Sequence, residues 1–208
     1  MFTEIARLMD RGEPVCVTFE KGENAEKGDD YELLYCELIT KARDGEVFIA
    51  SSQRCPPGKF VLRESEDRPD SYYLKSGRYI DKETAASAAA NLPRVSREYD
   101  RIRIEPLSKN NGTFDVMILY LRPERAMRFV QAMAYNDGER VSIDTFGAAS
   151  ICGDCTALAD EKGIALTYGC KGSRKHSEYG DDEIPIGIRF DKAEKIEKGL
   201  KNIPETRN

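Results

Sequence analysis

The 208-residue chain contains one histidine, His176, and no surplus of positive charge, with 32 Lys and Arg against 37 Asp and Glu for a net charge of −5. A lone histidine excludes a histidine-rich metal site. Any Ser-His-Asp arrangement would have to use His176, which stands in the polar run SRKHSEYGDDE, where a solvated side chain is expected. The negative balance lacks the electrostatic footprint with which proteins hold duplex nucleic acid, so none is expected as a partner. No segment approaches the roughly 18 apolar residues of a membrane span, and no membrane association is expected. The start MFTEIARLMDRGEP places Phe2, Ile5, Leu8 and Met9 at helical spacing, with Glu4 and Asp10 breaking any apolar run. That pattern predicts an amphipathic cap helix, because a signal peptide needs a basic start and an unbroken apolar stretch; a cytoplasmic protein is expected. A complete phosphate-loop or dinucleotide fingerprint is also missing.

What is present is a core and six cysteines. Hydrophobic residues make up 40% of the chain, enough for one substantial domain over 1–208. Strands are predicted at PVCVTF (14–19), EVFIAS (46–51), YYLKSGRYI (72–80), RIRIEPL (101–107), FDVMILYL (114–121), ERVSIDTF (139–146), IALTYGC (164–170) and EIPIGIRF (183–190). Helices are predicted at YELLYCELITKARDG (31–45), DKETAASAAANLP (81–93, capped by Asp81), RPERAMRFVQAMAYNDG (122–138), SICGDCTALADEKG (150–163, capped by Ser150) and DKAEKIEKGLKNIP (191–204, capped by Asp191). The alternation predicts an α/β protein with a mixed sheet, an α+β arrangement being the alternative.

One pattern occurs twice: a cysteine-bearing helix, a glycine, a strand, a cysteine turn, a polar loop, a second strand, and an Asp-Lys-capped helix ending in a hydrophobic residue and proline. The cysteine pairs are 19 positions apart in the first copy (Cys36, Cys55) and 18 in the second (Cys152, Cys170). The Asp-Lys to Pro distances are 12 and 13. An internal duplication of 14–93 and 114–204 is the expectation, with two pseudo-repeated halves forming one compact unit.

If the halves close around a shared axis, Cys36, Cys55, Cys152 and Cys170 come together. Four soft thiolates select an iron–sulfur cluster, with zinc as the alternative ion and purely structural thiols as the bland reading. Cys16, inside PVCVTF, is expected in the core. Cys152-Gly153-Asp154-Cys155 offers a rival chemistry: a C-x-x-C at a helix start can act as a redox dithiol, with Cys152 as nucleophile and Cys155 as resolving thiol. On an α-helix those two thiols lie one turn apart and face the same way, so Cys155 competes with Cys152 as a ligand.

The loop GCKGSRK follows a strand with two glycines, a serine and three cations. Gly172, Ser173 and Arg174 are the candidate donors for a phosphate or carboxylate, or for neutralising cluster charge. YYLKSGRY places Tyr72, Tyr73 and Tyr79 around Arg78, with some of the rings expected on a pocket face, while Asp181, Asp182 and Glu183 are expected to be solvated charge. A redox partner protein or a small-molecule ligand is the expected partner.

PVCVTF, the Cys36 helix, CPPGKF, YYLKSGRY, DVMILYLRPERAMRFVQA, ICGDC and GCKGSR follow one another in this order along nearly the whole chain. In this the chain resembles the domain of unknown function 169 family of archaea and bacteria. Its most specific pieces are the apolar strand followed by RPERAMRFVQA and the late GCKGSR…DDEIPIGI segment. The resemblance implies a shared fold and a shared site without naming a reaction.

Overall fold

The computed structural model describes residues 2–22, 28–135 and 137–204. Among these, seven strands make one mixed sheet in the order β2-β3-β4-β1-β5-β7-β6. The strands are β1 Val15–Glu20, β2 Asp29–Asp30, β3 Phe48–Ser52, β4 Arg101–Pro106, β5 Val116–Leu121, β6 Ile164–Leu166 and β7 Ile184–Arg189. Only β2 and β3 run parallel; the other neighbours are antiparallel. Strands from the two halves of the chain meet in the middle, where β1 pairs with β5 through Val15 opposite Ile118. The run VMILYL explains the position of β5: every one of its residues is buried, as a strand covered on both faces requires.

Helices α1 Thr3–Ala6, α2 Tyr35–Arg43, α3 Pro56–Val61, α4 Asp70–Lys75, α5 Lys82–Ala90, α6 Pro123–Ala134, α7 Ala159–Lys162, α8 Lys171–His176 and α9 Phe190–Asn202 surround the sheet, together with a π-helix at Ser150–Leu158. One group, α1, α6 and α9, packs together and against β5 and β7. Gly199 lets α9 approach the α6 backbone, since a methyl there would lie 3.0 Å from the Ala132 carbonyl carbon. The Glu197 carboxylate accepts the N–H groups of Glu4 (3.0 Å) and Ile5 (3.0 Å), tying the first helix to the last. The other group, α2, α3, α8 and the π-helix, packs together and, with the residues that cap α3 and α8, carries every cysteine but Cys16. β7 shows how close that approach is: Gly187 lies against the backbone of Cys155 in the π-helix.

Several predicted elements differ. Residues 139–146 form no strand, and Ile143 and Phe146 stay exposed. The alternation there finds no partner strand, and a strand without a ladder is not stable. YYLKSGRYI contains the helix α4 instead of a strand. Pro69 at its cap, Asp70 in its first turn and Gly77 at φ +61 just beyond its end are helix signals that outweigh the β-propensity of the tyrosines. IALTYGC is strand only at Ile164–Leu166. Asp81 caps α5 as expected, accepting from the Thr84 N–H at 2.8 Å. Ser150 does not cap its helix: Ala149, in the left-handed region, holds that position. Asp191 lies inside the first turn of α9 and pairs with Arg189 at 2.7 Å. The two halves share the order cysteine helix, strand, cysteine cap, short helix. They then part, because 72–80 is mainly helix and turn where 183–190 is strand.

Candidate functional site

Four cysteines from four separated segments line one cavity of about 250 Å³. Cys36 is the second residue of α2 and Cys152 the third of the π-helix. Cys55 and Cys170 hold equivalent places in the two halves, each the cap residue between a strand and a six-residue helix, α3 and α8. Packing of α2 against α8 and against the π-helix, and of α3 against the π-helix, brings the four segments together. Cys16 lies apart, fully buried in β1.

The π-helix decides between the two thiols of CGDC. Backbone bonding from i to i+5 over Ser150–Leu158 widens each turn, so side chains three apart no longer share a face. Cys152 therefore turns to the cavity. Cys155 does not line it; it is fully buried, with its backbone pressed on Gly187 of β7. Burial also pushes both thiols far above the ordinary range, opposite to the lowering expected of an activated dithiol.

The cavity thiols are not equivalent. Burial pushes Cys36 up to about 12 and Cys55 up to about 11, with the charges of neighbouring cysteines adding to the shift. Burial raises Cys170 too, but hydrogen bonds from the Ser150 hydroxyl and backbone and from the Ser173 backbone and hydroxyl outweigh it and hold this thiol below its ordinary value. The Ser173 N–H lies 3.4 Å from the Cys170 sulfur, and the Ser173 hydroxyl exchanges hydrogen bonds with Ser150 and Tyr179, each at 3.0 Å. The charge of Cys170 adds to the upward shift of Cys36, Cys55 and Cys152, which places the four sulfurs within electrostatic reach of one another. Among the described residues no three His, Cys, Asp or Glu side chains stand close enough to hold a single metal ion.

Of the predicted loop donors, Gly172 and Ser173 line the cavity, and Arg174 does not. Its Nε, Nη1 and Nη2 donate to the carbonyls of Tyr168 (2.9 Å), Gly180 (2.9 Å) and Glu183 (3.0 Å), and its guanidinium stacks 4.5 Å from the Tyr179 ring centre. It braces the loop. The cations at the cavity are Arg54, Arg78, Lys171 and Lys175, with His176 exposed beside them, and no Asp or Glu lines it. Arg78 donates to the Tyr72 hydroxyl at 3.3 Å and lies 5.2 Å from that ring. The Tyr72 and Arg78 placement was visible in YYLKSGRY; Arg54 carried only the signal of standing next to Cys55. Of the acidic run, Asp181 and Asp182 are exposed as expected, Asp182 pairing with Arg122 at 3.0 Å, whereas Glu183 is buried, accepts from the Gly180 N–H at 2.6 Å and faces Arg43.

Among the described residues no helix is long and apolar enough to cross a membrane. The chain is similar to the uncharacterized protein MJ0308 of Methanocaldococcus jannaschii, 27% identical over 182 residues that cover 83% of this chain and 78% of that protein. No solved structure matches it. The family model described as uncharacterised ArCR, domain of unknown function 169, matches residues 5–199, and so covers all four cavity cysteines and the cations beside them. The chain belongs to the domain of unknown function 169 family.

Proposed function

We propose that this protein is a cytoplasmic, redox-associated protein that holds an iron–sulfur cluster on Cys36, Cys55, Cys152 and Cys170. The observation that carries the reading is the arrival of these four thiols, from segments up to 134 residues apart, on one cavity in which no carboxylate competes. Buried sulfur ligands with no oxygen donors suit iron–sulfur chemistry. Zinc bound at one point needs sulfurs about 3.8 Å apart, from zinc–sulfur bonds of about 2.3 Å. When bound, such a cluster supplies one-electron chemistry.

The chain's own residues divide the remaining work. Cys170, whose thiol Ser150 and Ser173 hold below its ordinary value, gives up its proton more readily than Cys36, Cys55 or Cys152. Arg78 and the lysines of α8 offset negative charge. The thiol–disulfide alternative has less support, because Cys155 would have to leave β7 to reach Cys152.

The test is anaerobic reconstitution with ferrous iron and sulfide, followed by iron and sulfide analysis, visible absorption and electron paramagnetic resonance. Cys36→Ser, Cys55→Ser, Cys152→Ser and Cys170→Ser should each lower iron content and change the spectrum, whereas Cys155→Ala and Cys16→Ala should retain both. A colourless, iron-free chain with all six thiols open to alkylation after unfolding sinks the reading. So does iron uptake indifferent to the four cavity substitutions.

A further inference from the structure

The cysteine cavity has a second half that a metal centre does not account for. In a chain of net charge −5, Arg54, Arg78, Lys171 and Lys175 meet at one cavity without an acidic lining residue, and none of them makes an ion pair among the described residues. Arg78 Nε, on a residue that lines the cavity, is buried and lacks a hydrogen-bond partner, and so does the hydroxyl of Tyr73, which is fully buried outside the cavity lining. The Tyr73 hydroxyl is close enough to Cys152 and Cys170 for their charges to act on it, and Arg78 acts likewise on Cys55. A buried donor without an acceptor costs about 1–3 kcal/mol, so Arg78 has a donor at the cavity that an anion would satisfy.

Charge counting points the same way. Four cysteine thiolates around a cubane core leave roughly two negative charges, fewer than the four positive side chains. Leu34, Pro56, Pro57 and Ile151 line the same cavity as the cations and the sulfurs. Apolar lining together with cationic donors fits a ligand with an organic body and an anionic head.

We propose that the cavity binds a small organic anion, with a carboxylate or phosphoryl head gripped by Arg78 together with Arg54, Lys171 and Lys175 and its body against Pro56, Pro57 and Ile151, beside the four cysteines. This inference rests on the reading of the cavity as a metal-centre pocket, since it places the substrate next to that centre. Its contacts, however, belong to different side chains.

The experiment is titration calorimetry of the full chain with phenyl phosphate, inorganic phosphate and benzoate as probes, under anaerobic conditions, before and after iron loading. One equivalent of phenyl phosphate or benzoate should bind. Phenyl phosphate should bind more tightly than inorganic phosphate, because only it reaches the apolar wall, and the tighter of phenyl phosphate and benzoate names the head group. Arg78→Gln should weaken binding about tenfold or more. The double variant Lys171→Gln/Lys175→Gln, on exposed side chains that cannot disturb folding, should weaken it as well. Arg125→Gln, which removes an exposed positive charge on α6, should leave it unchanged. Both cation variants should still take up iron, and the four-serine variant should lose iron while still binding the anion. Absence of binding by all three probes overturns the proposal. So does equal weakening in Arg125→Gln and in the cavity variants, which would reduce the effect to net charge.

Discussion

Replacing Gly187 by alanine should push the π-helix away from the sheet and carry Cys152 out of place. Gly187 sits inside β7, opposite Ile118 of β5 and Ala165 of β6, so its own backbone cannot yield without breaking two ladders. A methyl group there would lie 2.6 Å from the carbonyl carbon of Cys155 and 2.7 Å from its Cα, and closer still to its carbonyl oxygen. Ordinary contact begins near 3.4 Å, so the Cys155 carbonyl oxygen must retreat by about 1.5 Å. Overpacking costs about 1–3 kcal/mol, and the upper end applies because the obstacle is backbone with no rotamer to change; the gain of about 0.5–1 kcal/mol from replacing glycine in a strand leaves a net loss of about 2 kcal/mol. Cys152 shares the rigid π-helix, and ligand distances tolerate only about 0.2 Å, so iron uptake should fall more steeply than stability. Urea unfolding and iron content after anaerobic reconstitution measure the two effects. Gly172→Ala is the control: its methyl would meet only the Cys170 sulfur, at 3.8 Å, in ordinary contact within α8. That variant should gain about 0.5–1 kcal/mol and keep its iron. An unchanged urea midpoint with full iron loading in Gly187→Ala would refute the claim that this close approach positions the site.

Burial pushes the Glu64 carboxyl from 4.5 up to about 7, although it accepts from the Gln53 N–H at 3.1 Å. Between those values the native chain holds a proton that the unfolded chain releases, so stability is greatest below pH 4.5 and is lost as pH rises towards 7, by up to about 3 kcal/mol. Glu64→Gln should flatten that slope and raise the urea midpoint at pH 8 while changing it little at pH 4.5; a midpoint at pH 8 equal to that of the native chain would overturn this account. Arg43 is fully buried over the Tyr120 ring, at 5.3 Å, and faces Glu183 at 3.4 Å. Arg43→Ala should cost about 3–5 kcal/mol by leaving the Glu183 charge without a counterion, and Arg43→Met/Glu183→Gln should recover most of that loss in the same unfolding assay. If the double variant is no more stable than Arg43→Ala, the loss lies in packing and not in the stranded charge.

The amino-acid sequence by itself determined the strands whose apolar pattern suits them to only one environment. VMILYL could only be a doubly covered strand, and PVCVTF, RIRIEP and IPIGIR carry enough alternation or bulk to join it. The Asp81 cap and the matched cysteine spacings were legible for the same reason: each depends on neighbours in the chain. Residues 72–80 and 139–146 were not legible, because a tyrosine-rich or alternating run becomes a strand only where a ladder is open to it, and that is a property of the other strands. The tertiary structure alone decided that Cys152 and Cys155 part company, since the segment winds as a π-helix, which turns them apart, and the Cys155 backbone packs on Gly187. It alone turned Arg174 to three carbonyls and brought Arg54 and Arg78, from far earlier in the chain, to the sulfurs. Local pattern governs which element forms; where side chains from distant elements meet is governed by packing, which no single stretch of sequence contains.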